Sequence, residues 1–483
     1  MAPTLSAPRL ANLLGQSDST GPAYRDLADR IRLLVIDGRV PDGSRLPSER
    51  ALAVALGVSR TTTTRVYAEL RDTGLLHSRQ GSGSIVRLPL SASNASSLIV
   101  SAPETDTIAM TFSAPIGPPG LARAFEAAAA KLPGLLATTG YLPDGLPALR
   151  EIIAQRYTDR GLPTDPSQIV VTSGAQGAIS LLGRVLVQPG NRVIVEGTSW
   201  PHAPESLVAA GARLTSMPVG ETPWDPEALA AAVRGAAHQA AYIIPDFHNP
   251  TGAVMTDEER GAWAHELRRN DIVPVVDESL RDVNLDGIEL PPSFGTYDDR
   301  CVIVDSTSKT LWGGLRIGWA RVPHELVLPL VQARMNQDLG TAGFEQLVVA
   351  ELLTEGGQTA AAGRARLRAN RDHLLSELAT SLPEIIAPCP GGGSSLWVTL
   401  PERMSSRLVA SAARHGLTLT PGPRFFTSPV PASERHLRLP FMPNQDALTE
   451  AVVRMRRAYD EVTGGSASTD NSPDSRDTLE LIA

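Results

Sequence analysis

A chain of 483 residues is longer than one ordinary domain, so two or three domains are expected. Its hydrophobic content of 42% supports a sizeable core, and the lack of any run of about 18 apolar residues argues against a transmembrane helix. Cys301 and Cys389 are too few for a disulfide framework or a metal-ligand cluster. Residues 1–20 lack the basic and apolar parts of a signal peptide, so we expect a cytoplasmic protein with no membrane contact.

The charge is distributed unevenly along the chain. The formal net charge is -8, but residues 21–90 carry eleven arginines against seven acidic residues, a balance of +4. Residues 1–20 are neutral overall, which leaves -12 on residues 91–483. An acidic protein with a basic N-terminal region suits nucleic-acid contact by one domain only.

The first predicted domain covers residues 20–88. Apolar positions with helical spacing predict a helix over 22–37. Ser48 is a candidate cap for a second helix that ends at Gly57, and Ser59 is a candidate cap for a third. With the glycine-rich hairpin that follows, this order predicts a winged helix-turn-helix domain that binds double-stranded DNA.

The third predicted helix carries short polar and arginine side chains in its first turn, the part that a recognition helix presents to DNA. Arg60 can contact a guanine or a phosphate, and Arg50 in the preceding helix can meet the DNA backbone. Gly81 and Gly83 of the hairpin allow close approach to a phosphate or to the minor groove. The candidate DNA-binding residues are Arg50, Ser59, Arg60, Thr61, Thr62, Arg65 and Gly81.

The stretches RLPSERALAVALGVSRTTTTRVYAELRDTGLL and RQGSGSIV resemble the GntR family of bacterial winged-helix regulators, over nearly all of residues 22–88. The resemblance implies a DNA-binding head. Where the family often has a basic residue this chain has Thr64, with Arg65 next to it, so we expect a different target sequence. A helix-turn-helix that only packs or dimerises is the alternative interpretation.

The rest of the chain divides into a linker, a large body and a tail. Residues 89–118 are rich in Ser, Ala and Pro, which is typical of a linker. Across 119–462, short β-branched runs alternate with helical stretches, which predicts an α/β fold with a parallel sheet covered on both faces. Residues 463–483 are poor in hydrophobic side chains and are predicted to be disordered.

Lys309 is one of only two lysines; the other is Lys131, and the remaining 42 of the 44 basic residues are arginines. Lysine forms an imine once burial leaves its amine neutral, whereas the arginine guanidinium stays protonated. Because Lys309 lies in the stretch STSKTLWGG, we interpret it as a reactive amine that holds pyridoxal 5′-phosphate. A surface lysine in an arginine-rich composition is the alternative.

A phosphate group needs backbone amides at a helix N-terminus together with hydroxyl and guanidinium donors. Ser173, Gly174 and Ala175 follow a predicted strand and precede a predicted helix, so they are candidates for the amides. Ser306 and Arg316 flank Lys309 in sequence and are candidates for the side-chain donors.

The pyridine ring makes three further demands. Its nitrogen stays protonated only beside a buried carboxylate, and Asp277 at the end of the strand VPVVD is the candidate. Its 3′ oxygen needs a donor, which Asn249 in the stretch DFHNPTG can supply. Trp200, after the strand RVIVE, can stack on the ring. Each of these residues also has an ordinary structural interpretation when it is considered alone.

In order along the chain, TSGAQGAISLL, NPTG, VVDES, STSKTLWGGLRIGW and HLRLPF resemble the fold-type I aminotransferases of the aspartate aminotransferase superfamily, over roughly 120–460. The resemblance implies that Lys309 forms the aldimine with the cofactor and that Arg438 binds a substrate or effector carboxylate. It also implies that Tyr141 reaches the phosphate of a neighbouring subunit, and hence a homodimer. Many relatives carry a tyrosine where this chain has Leu280, which makes efficient transamination less assured.

A GntR-like head fused to an aminotransferase-like body is the layout of the MocR subfamily of bacterial regulators. The resemblance therefore implies a transcription factor that senses an amine, an amino acid or the B6 vitamin through Lys309. Two other functions stay open at this point. One is a working aminotransferase that carries a DNA-binding head, and the other is a structural repressor without a cofactor.

Overall fold

The computed structural model describes residues 4–14, 23–36, 40, 43–72, 75–79, 83–86, 107–218, 223–428 and 430–464. These residues fall into a head, residues 4–86, and a body, residues 107–464. Gly81, residues 87–106 of the chain between the two units, and the predicted tail from residue 465 onward lie outside the described residues. In the described parts, every helix is too short or too polar to cross a lipid bilayer.

The head contains the predicted helix-turn-helix and wing. Its elements are helices Ala7–Leu14 (α1), Ala23–Ile36 (α2), Glu49–Leu56 (α3) and Arg60–Asp72 (α4), and antiparallel strands Leu76–Arg79 (β1) and Gly83–Val86 (β2). Ser48 Oγ accepts from the Ala51 amide at 3.2 Å, and Ser59 Oγ accepts from the Thr62 amide at 3.1 Å. Gly57 ends α3 with a left-handed φ of 67°. The predicted caps are therefore confirmed.

The head also contains a helix that the sequence patterns did not predict. Leu10 and Leu14 of α1 are buried in the same hydrophobic cluster as Ile31 and Leu52. The chain before α1 is tied to the domain as well, because the Leu5 amide donates to the Arg45 carbonyl at 2.9 Å. The head thus extends to residue 4 rather than beginning at residue 20, since these leucines complete its core.

A seven-stranded sheet forms the centre of the body. Its strands are Ile169–Thr172 (β4), Arg192–Val195 (β5), Arg213–Ser216 (β6), Ala240–Ile243 (β7), Val273–Asp277 (β8), Val302–Ser306 (β9) and Gly318–Arg321 (β10), numbered after the short strand Ile108–Ala109 (β3). Their order in the sheet is β4-β10-β9-β8-β7-β5-β6. Most central positions are buried, as expected for a sheet covered on both faces.

The prediction of a parallel sheet is wrong for one strand. β10 pairs antiparallel with both β4 and β9, while the other pairings in this sheet are parallel. Only residues 307–317 connect β9 to β10, and their one short helix is a 3-10 turn over Gly313–Leu315. A parallel crossover needs a dozen or more residues, usually with an α-helix, whereas an antiparallel return does not.

Helices cover both faces of this sheet and pack at its side. They are Leu121–Leu136 (α5), Pro147–Asp159 (α6), Gly174–Leu186 (α7), His202–Ala209 (α8), Pro226–Gly235 (α9), Asp257–Arg269 (α10), His324–Met335 (α11) and Gly343–Thr354 (α12). Neighbouring side chains of β9 point to opposite faces of the sheet and lie in different hydrophobic clusters, Ile303 in one and Val304 in the other. The predicted two-faced core is confirmed.

A smaller subdomain completes the body. The long helix Gln358–Ser381 (α13) leads to strand Ser395–Thr399 (β11), helix Ser405–Arg414 (α14), strands Leu417–Thr418 (β12), Thr420–Pro421 (β13) and His436–Pro440 (β14), and helix Gln445–Gly464 (α15). β11, β14 and β13 form an antiparallel sheet. β3, inside the predicted linker 89–118, pairs in parallel with β12. The described part of the body therefore begins at residue 107, within the predicted linker.

Candidate functional site

A cavity of about 140 Å³ lies at the carboxyl ends of the central strands, where ligands bind in open α/β sheets. Strands β7, β8 and β9 each lead into this cavity. It is lined by Ala175, Gln176, Trp200, Ile244, Asn249, Asp277, Ser279, Leu280, Ser306, Ser308, Lys309 and Arg316. Seven of the predicted cofactor-binding residues therefore lie around one cavity.

Lys309 follows β9 and its amine is enclosed by the cavity. Burial and the positive charge of Arg438 lower the pKa of Lys309 to about 8, against the opposing effect of Asp277. Its Nζ donates to the backbone carbonyl of Ser113 at 2.6 Å. Lys131, in contrast, is exposed and forms an ion pair with Glu351. The two lysines thus differ in the property that imine chemistry requires.

We expect the rate of cofactor attachment to follow the neutral fraction of the Lys309 amine. Because the pKa is lowered to about 8, half of the amine is neutral at about pH 8 and nearly all of it is neutral about one pH unit higher. The initial rate at which visible absorbance develops, after cofactor is added to cofactor-free protein, should reach half of its maximum at about pH 8 and level off about one pH unit higher. A rate that continues to rise up to about pH 10, as for free lysine, would show that the amine is not buried.

Asp277 ends β8 and is almost completely buried. Its Oδ2 accepts from the Tyr242 hydroxyl at 2.7 Å, and its Oδ1 accepts from the Ser279 amide at 2.9 Å. Burial raises the pKa of this carboxyl above its usual value, while the two donors and the charge of Lys309 act in the opposite direction. A protonated pyridine nitrogen beside Asp277 would supply the cation that favours the ionised carboxylate.

The start of α7 brings together the residues of the predicted phosphate cradle. Gly174 has a left-handed φ of 74°, and a Cβ there would lie 3.0 Å from Arg316 Nη2. Arg316 donates to the Ser173 carbonyl at 2.9 Å, so its guanidinium lies against the amide end of the helix. A Cβ at Gly318 would lie 2.7 Å from the Ala175 amide nitrogen, so glycine is needed for β10 to pass this close. Helix amides and a guanidinium converge here, as phosphate binding requires.

Asn249 and Arg438 form a second part of the site. Arg438 comes from β14 of the smaller subdomain, and its Nη1 is 3.5 Å from Asn249 Oδ1. Its Nη2 donates to the Thr111 carbonyl at 2.6 Å, and its guanidinium lies 4.6 Å from the centroid of the Phe425 ring. Burial lowers the pKa of Arg438 to about 10, so the side chain stays cationic at neutral pH. A ligand carboxylate is a suitable partner for it.

Three other predicted positions have different surroundings. Trp200 is half-buried, lines the cavity, and contacts His202 edge to face with 5.4 Å between the ring centroids. Leu280 is buried at the cavity wall and cannot donate a hydrogen bond. Tyr141 is 67% exposed and is not part of the cavity lining. The ring-stacking candidate is therefore at the cavity, and the tyrosine predicted to serve a neighbouring subunit is not.

Sequence reasoning missed several residues of the site. Ser308 Oγ lies 2.9 Å from Ser306 Oγ, and it stands inside the same motif directly before Lys309. Gln176 Nε2 donates to Ser206 Oγ at 2.5 Å. The sequence did carry a signal for both residues, because Ser308 lies in the motif that contains Lys309 and Gln176 lies in the motif that contains Ser173. Tyr242 gave no such signal, because its position in a buried strand is also typical of a core residue.

The residues of the cavity fit pyridoxal 5′-phosphate. The helix amides, Arg316 and the two serine hydroxyls suit its phosphate, the buried carboxylate of Asp277 suits its ring nitrogen, and the buried amine of Lys309, with its lowered pKa, suits its aldehyde. Ser279 Oγ, which also lines the cavity, is buried without a hydrogen-bond partner among the described residues.

In the head, most of the predicted DNA-binding residues lie on an accessible face. Arg50, Ser59, Arg60, Thr61 and Arg65 are exposed, and Thr62 is half-buried. Arg65 also lies over the ring of Tyr24, with 5.7 Å from Cζ to the centroid. Thr64, which stands where the GntR family often has a basic residue, donates from its hydroxyl to Glu49 Oε2 at 2.8 Å. Its hydroxyl is therefore held within the domain.

Comparison with known proteins decides the family. Residues 125–455 match the family of class I and II aminotransferases, and residues 23–86 match the gntR family of bacterial regulatory proteins. The uncharacterized HTH-type transcriptional regulator YdfD of Bacillus subtilis is 30% identical over 428 residues, which cover 81% of this chain and 87% of that protein. The probable rhizopine catabolism regulatory protein MocR of Rhizobium meliloti is 28% identical over 364 residues, and this match covers 70% of this chain and 73% of that protein. The chain belongs to the MocR subfamily of GntR-type regulators.

The body of this MocR-type regulator also resembles a solved enzyme. The crystal structure of LysN, an alpha-aminoadipate aminotransferase from Thermus thermophilus complexed with N-(5′-phosphopyridoxyl)-L-leucine, is 27% identical with a TM-score of 0.68. The match covers 74% of this chain and 93% of that one. The fold-type I architecture and pyridoxal 5′-phosphate as the cofactor follow from these matches.

In a MocR-type regulator the head binds DNA, and Arg60 at the exposed start of α4 is expected to read it. We expect Arg60→Ala to weaken specific DNA binding by about 1–3 kcal/mol, the range for losing a bidentate base contact. Titration of operator DNA, alongside unrelated DNA of equal length, measures the loss. An undiminished preference for the operator would show that another residue reads the base.

Proposed function

We propose that this protein is a transcriptional regulator that senses an amine, an amino acid or a B6 vitamer through Lys309. One observation carries the proposal. The chain has two lysines, and one of them lies in a cavity with a pKa lowered to about 8, between a buried carboxylate and a buried guanidinium. The same chain carries a DNA-binding head.

The residues around the cavity have distinct roles in this proposal. When bound, pyridoxal 5′-phosphate would supply an aldehyde that can bond either to the amine of Lys309 or to the amine of a ligand. Lys309 accepts a proton at Nζ as it leaves and gives one up as it returns, which its pKa of about 8 allows at neutral pH. Arg438 orients a ligand carboxylate, and Asp277 keeps the ring nitrogen protonated.

Leu280 favours sensing over rapid turnover. A tyrosine at this position would place a hydroxyl at the cavity wall, whereas leucine offers only an apolar surface. The retained Lys309, Asp277 and Arg438 nevertheless support a second candidate function, a catalytically active aminotransferase with a DNA-binding head. Incubation with amino donors and a 2-oxo acid separates the two, because only an aminotransferase converts the oxo acid.

We further propose that the regulator acts in the cytoplasm as a homodimer. Tyr141 is 67% exposed, and a neighbouring copy would bury its ring. In the dimer this tyrosine would reach the phosphate of the partner's cofactor. Sedimentation of the full chain tests the assembly, and a monomer at micromolar concentration would contradict it.

Operator binding tests the proposed function. The operator is selected from random DNA by the full-length, cofactor-loaded protein. Its affinity is then measured with and without a mixture of the common L-amino acids, simple amines and pyridoxal. We expect a change of at least about fivefold, the lower end of typical coupling between two sites. No DNA selected, or no response to any of these ligands, would refute regulation through the cavity.

A further inference from the structure

The first described segment of the body contacts two basic side chains of the ligand site, Arg438 and Lys309. We call residues 107–117 the bridging segment. In sequence it comes directly after the linker from the DNA-binding head. Its first part belongs to the smaller subdomain, because the Ile108 amide donates to the Gly416 carbonyl at 2.8 Å and the Met110 amide to the Thr418 carbonyl at 2.9 Å.

Three basic side chains then hold the carbonyl groups of this segment. Arg438 donates to Thr111 O, Lys309 donates to Ser113 O and Arg366 donates to Ile116 O, each at 2.6 Å. Arg366 also lies 3.5 Å from Gly117 O. Two of these side chains, Arg438 and Lys309, belong to the ligand site. The bridging segment is therefore in direct contact with the groups that bind ligands.

The two arginines are unusual in their surroundings. The Nε of each is enclosed without a hydrogen-bond partner among the described residues, and the Nη2 of each donates to a backbone carbonyl of the bridging segment. Burial lowers the pKa of Arg366 as well as that of Arg438. A buried guanidinium that faces only neutral acceptors is costly, and this cost is larger for the buried Arg438 than for Arg366, which is half-buried. The hydrogen bonds of each guanidinium to the bridging segment are thus its main compensation.

Arg438 has a stronger acceptor available than a carbonyl. A carboxylate forms shorter and stronger hydrogen bonds with a guanidinium than a neutral backbone oxygen does. A ligand carboxylate that engages Arg438 therefore competes with Thr111 O. Arg366 is on α13, and no cavity-lining residue comes from that helix, so its hold on Ile116 persists while the hold on Thr111 changes.

We propose that the bridging segment couples the ligand site to the DNA-binding head, with Arg366 as the positioning residue that anchors it. Exchange of Thr111 O for a ligand carboxylate at Arg438 frees the middle of the segment, which lies between β3, paired with β12, and the end that Arg366 keeps fixed. The change then passes to the linker next to it in sequence. This inference rests on the proposed function, since it requires a ligand response.

Arg366→Gln tests the anchor in the full-length, cofactor-loaded protein. It removes the charge and most donors but leaves every cavity-lining residue in place. We expect hydrogen exchange of the amides in residues 107–117 to become about tenfold faster, the equivalent of losing one charge-assisted hydrogen bond. We also expect the ligand-dependent change in operator affinity to fall from at least about fivefold to less than twofold. The visible absorbance of the cofactor should be unchanged.

Arg364→Gln, two positions earlier on α13, is the matched control, and we expect both readouts to stay as in the wild type. Arg366→Lys keeps the charge and one donor, so it should restore most of the response. If Arg366→Gln loses its absorbance, Arg366→Lys is judged by the same two readouts. Unchanged exchange in 107–117, or a full ligand response in Arg366→Gln, overturns the inference. A wild type without any ligand response refutes the proposed function instead.

Discussion

Lys309→Ala is expected to abolish the visible absorbance that develops when the protein is incubated with pyridoxal 5′-phosphate. The only other lysine, Lys131, is exposed and paired with Glu351, so it offers no buried neutral amine to replace it. Absorbance spectra after removal of free cofactor measure the effect. The fold should be retained, because the amine makes one hydrogen bond within the described parts of the chain, to Ser113 O, and the residue stands in a turn after β9.

Lys131→Ala is the matched control for this experiment. It removes the same functional group from an exposed position, and we expect it to acquire cofactor as the wild type does. Circular dichroism of both variants verifies that the fold is intact. A wild-type spectrum from Lys309→Ala, or a colourless Lys131→Ala protein with an intact fold, would contradict the assignment of the cofactor to Lys309.

Asp277→Asn is expected to weaken cofactor binding by about 3 kcal/mol, roughly a hundredfold in Kd. The substitution keeps the shape of the side chain but removes the negative charge that we expect to face the ring nitrogen. It also leaves one of the two present donors, the Tyr242 hydroxyl or the Ser279 amide, without its acceptor. Titration of cofactor-free protein with pyridoxal 5′-phosphate measures the loss.

Tyr242→Phe distinguishes the effect of the Asp277 charge from the effect of the hydrogen bond that Asp277 accepts from Tyr242. It removes the hydroxyl that donates to Asp277 Oδ2 and leaves the carboxylate charge unchanged. We expect a loss of about 1 kcal/mol, the usual value for a single hydrogen bond. Equal losses from the two variants would mean that the charge of Asp277 contributes little, and its assignment to the ring nitrogen would then be wrong.

Residues at the ends of strands were predictable from the sequence for a physical reason. Asp277, Ser306 and Asn249 each follow a short β-branched run, and parallel strands bring their carboxyl ends to one edge of a sheet. Lys309 was predictable from its rarity and its glycine-rich surroundings. The helix-turn-helix was predictable because Ser48 and Gly57 mark the helix ends with local chemistry.

Contacts between distant parts of the chain were not predictable in this way. Arg366 and Ile116 are 250 positions apart, and Lys309 and Ser113 are 196 apart, so no local periodicity connects them. The acceptors in both pairs are backbone carbonyls, which every residue has. The reversed strand β10 was missed because its buried run looks the same in either direction. Tertiary packing determines these features.

Operator binding by borohydride-reduced protein tests most directly whether release of Lys309 drives the response. Reduction turns the bond between cofactor and lysine into one that no ligand amine can displace, and peptide mass spectrometry locates the label. We expect the label on Lys309, and an operator affinity that no longer changes when the mixture of amino acids, amines and pyridoxal is added. The unreduced protein should respond by at least about fivefold. A label on Lys131, or an equal response from the reduced protein, would contradict sensing through Lys309.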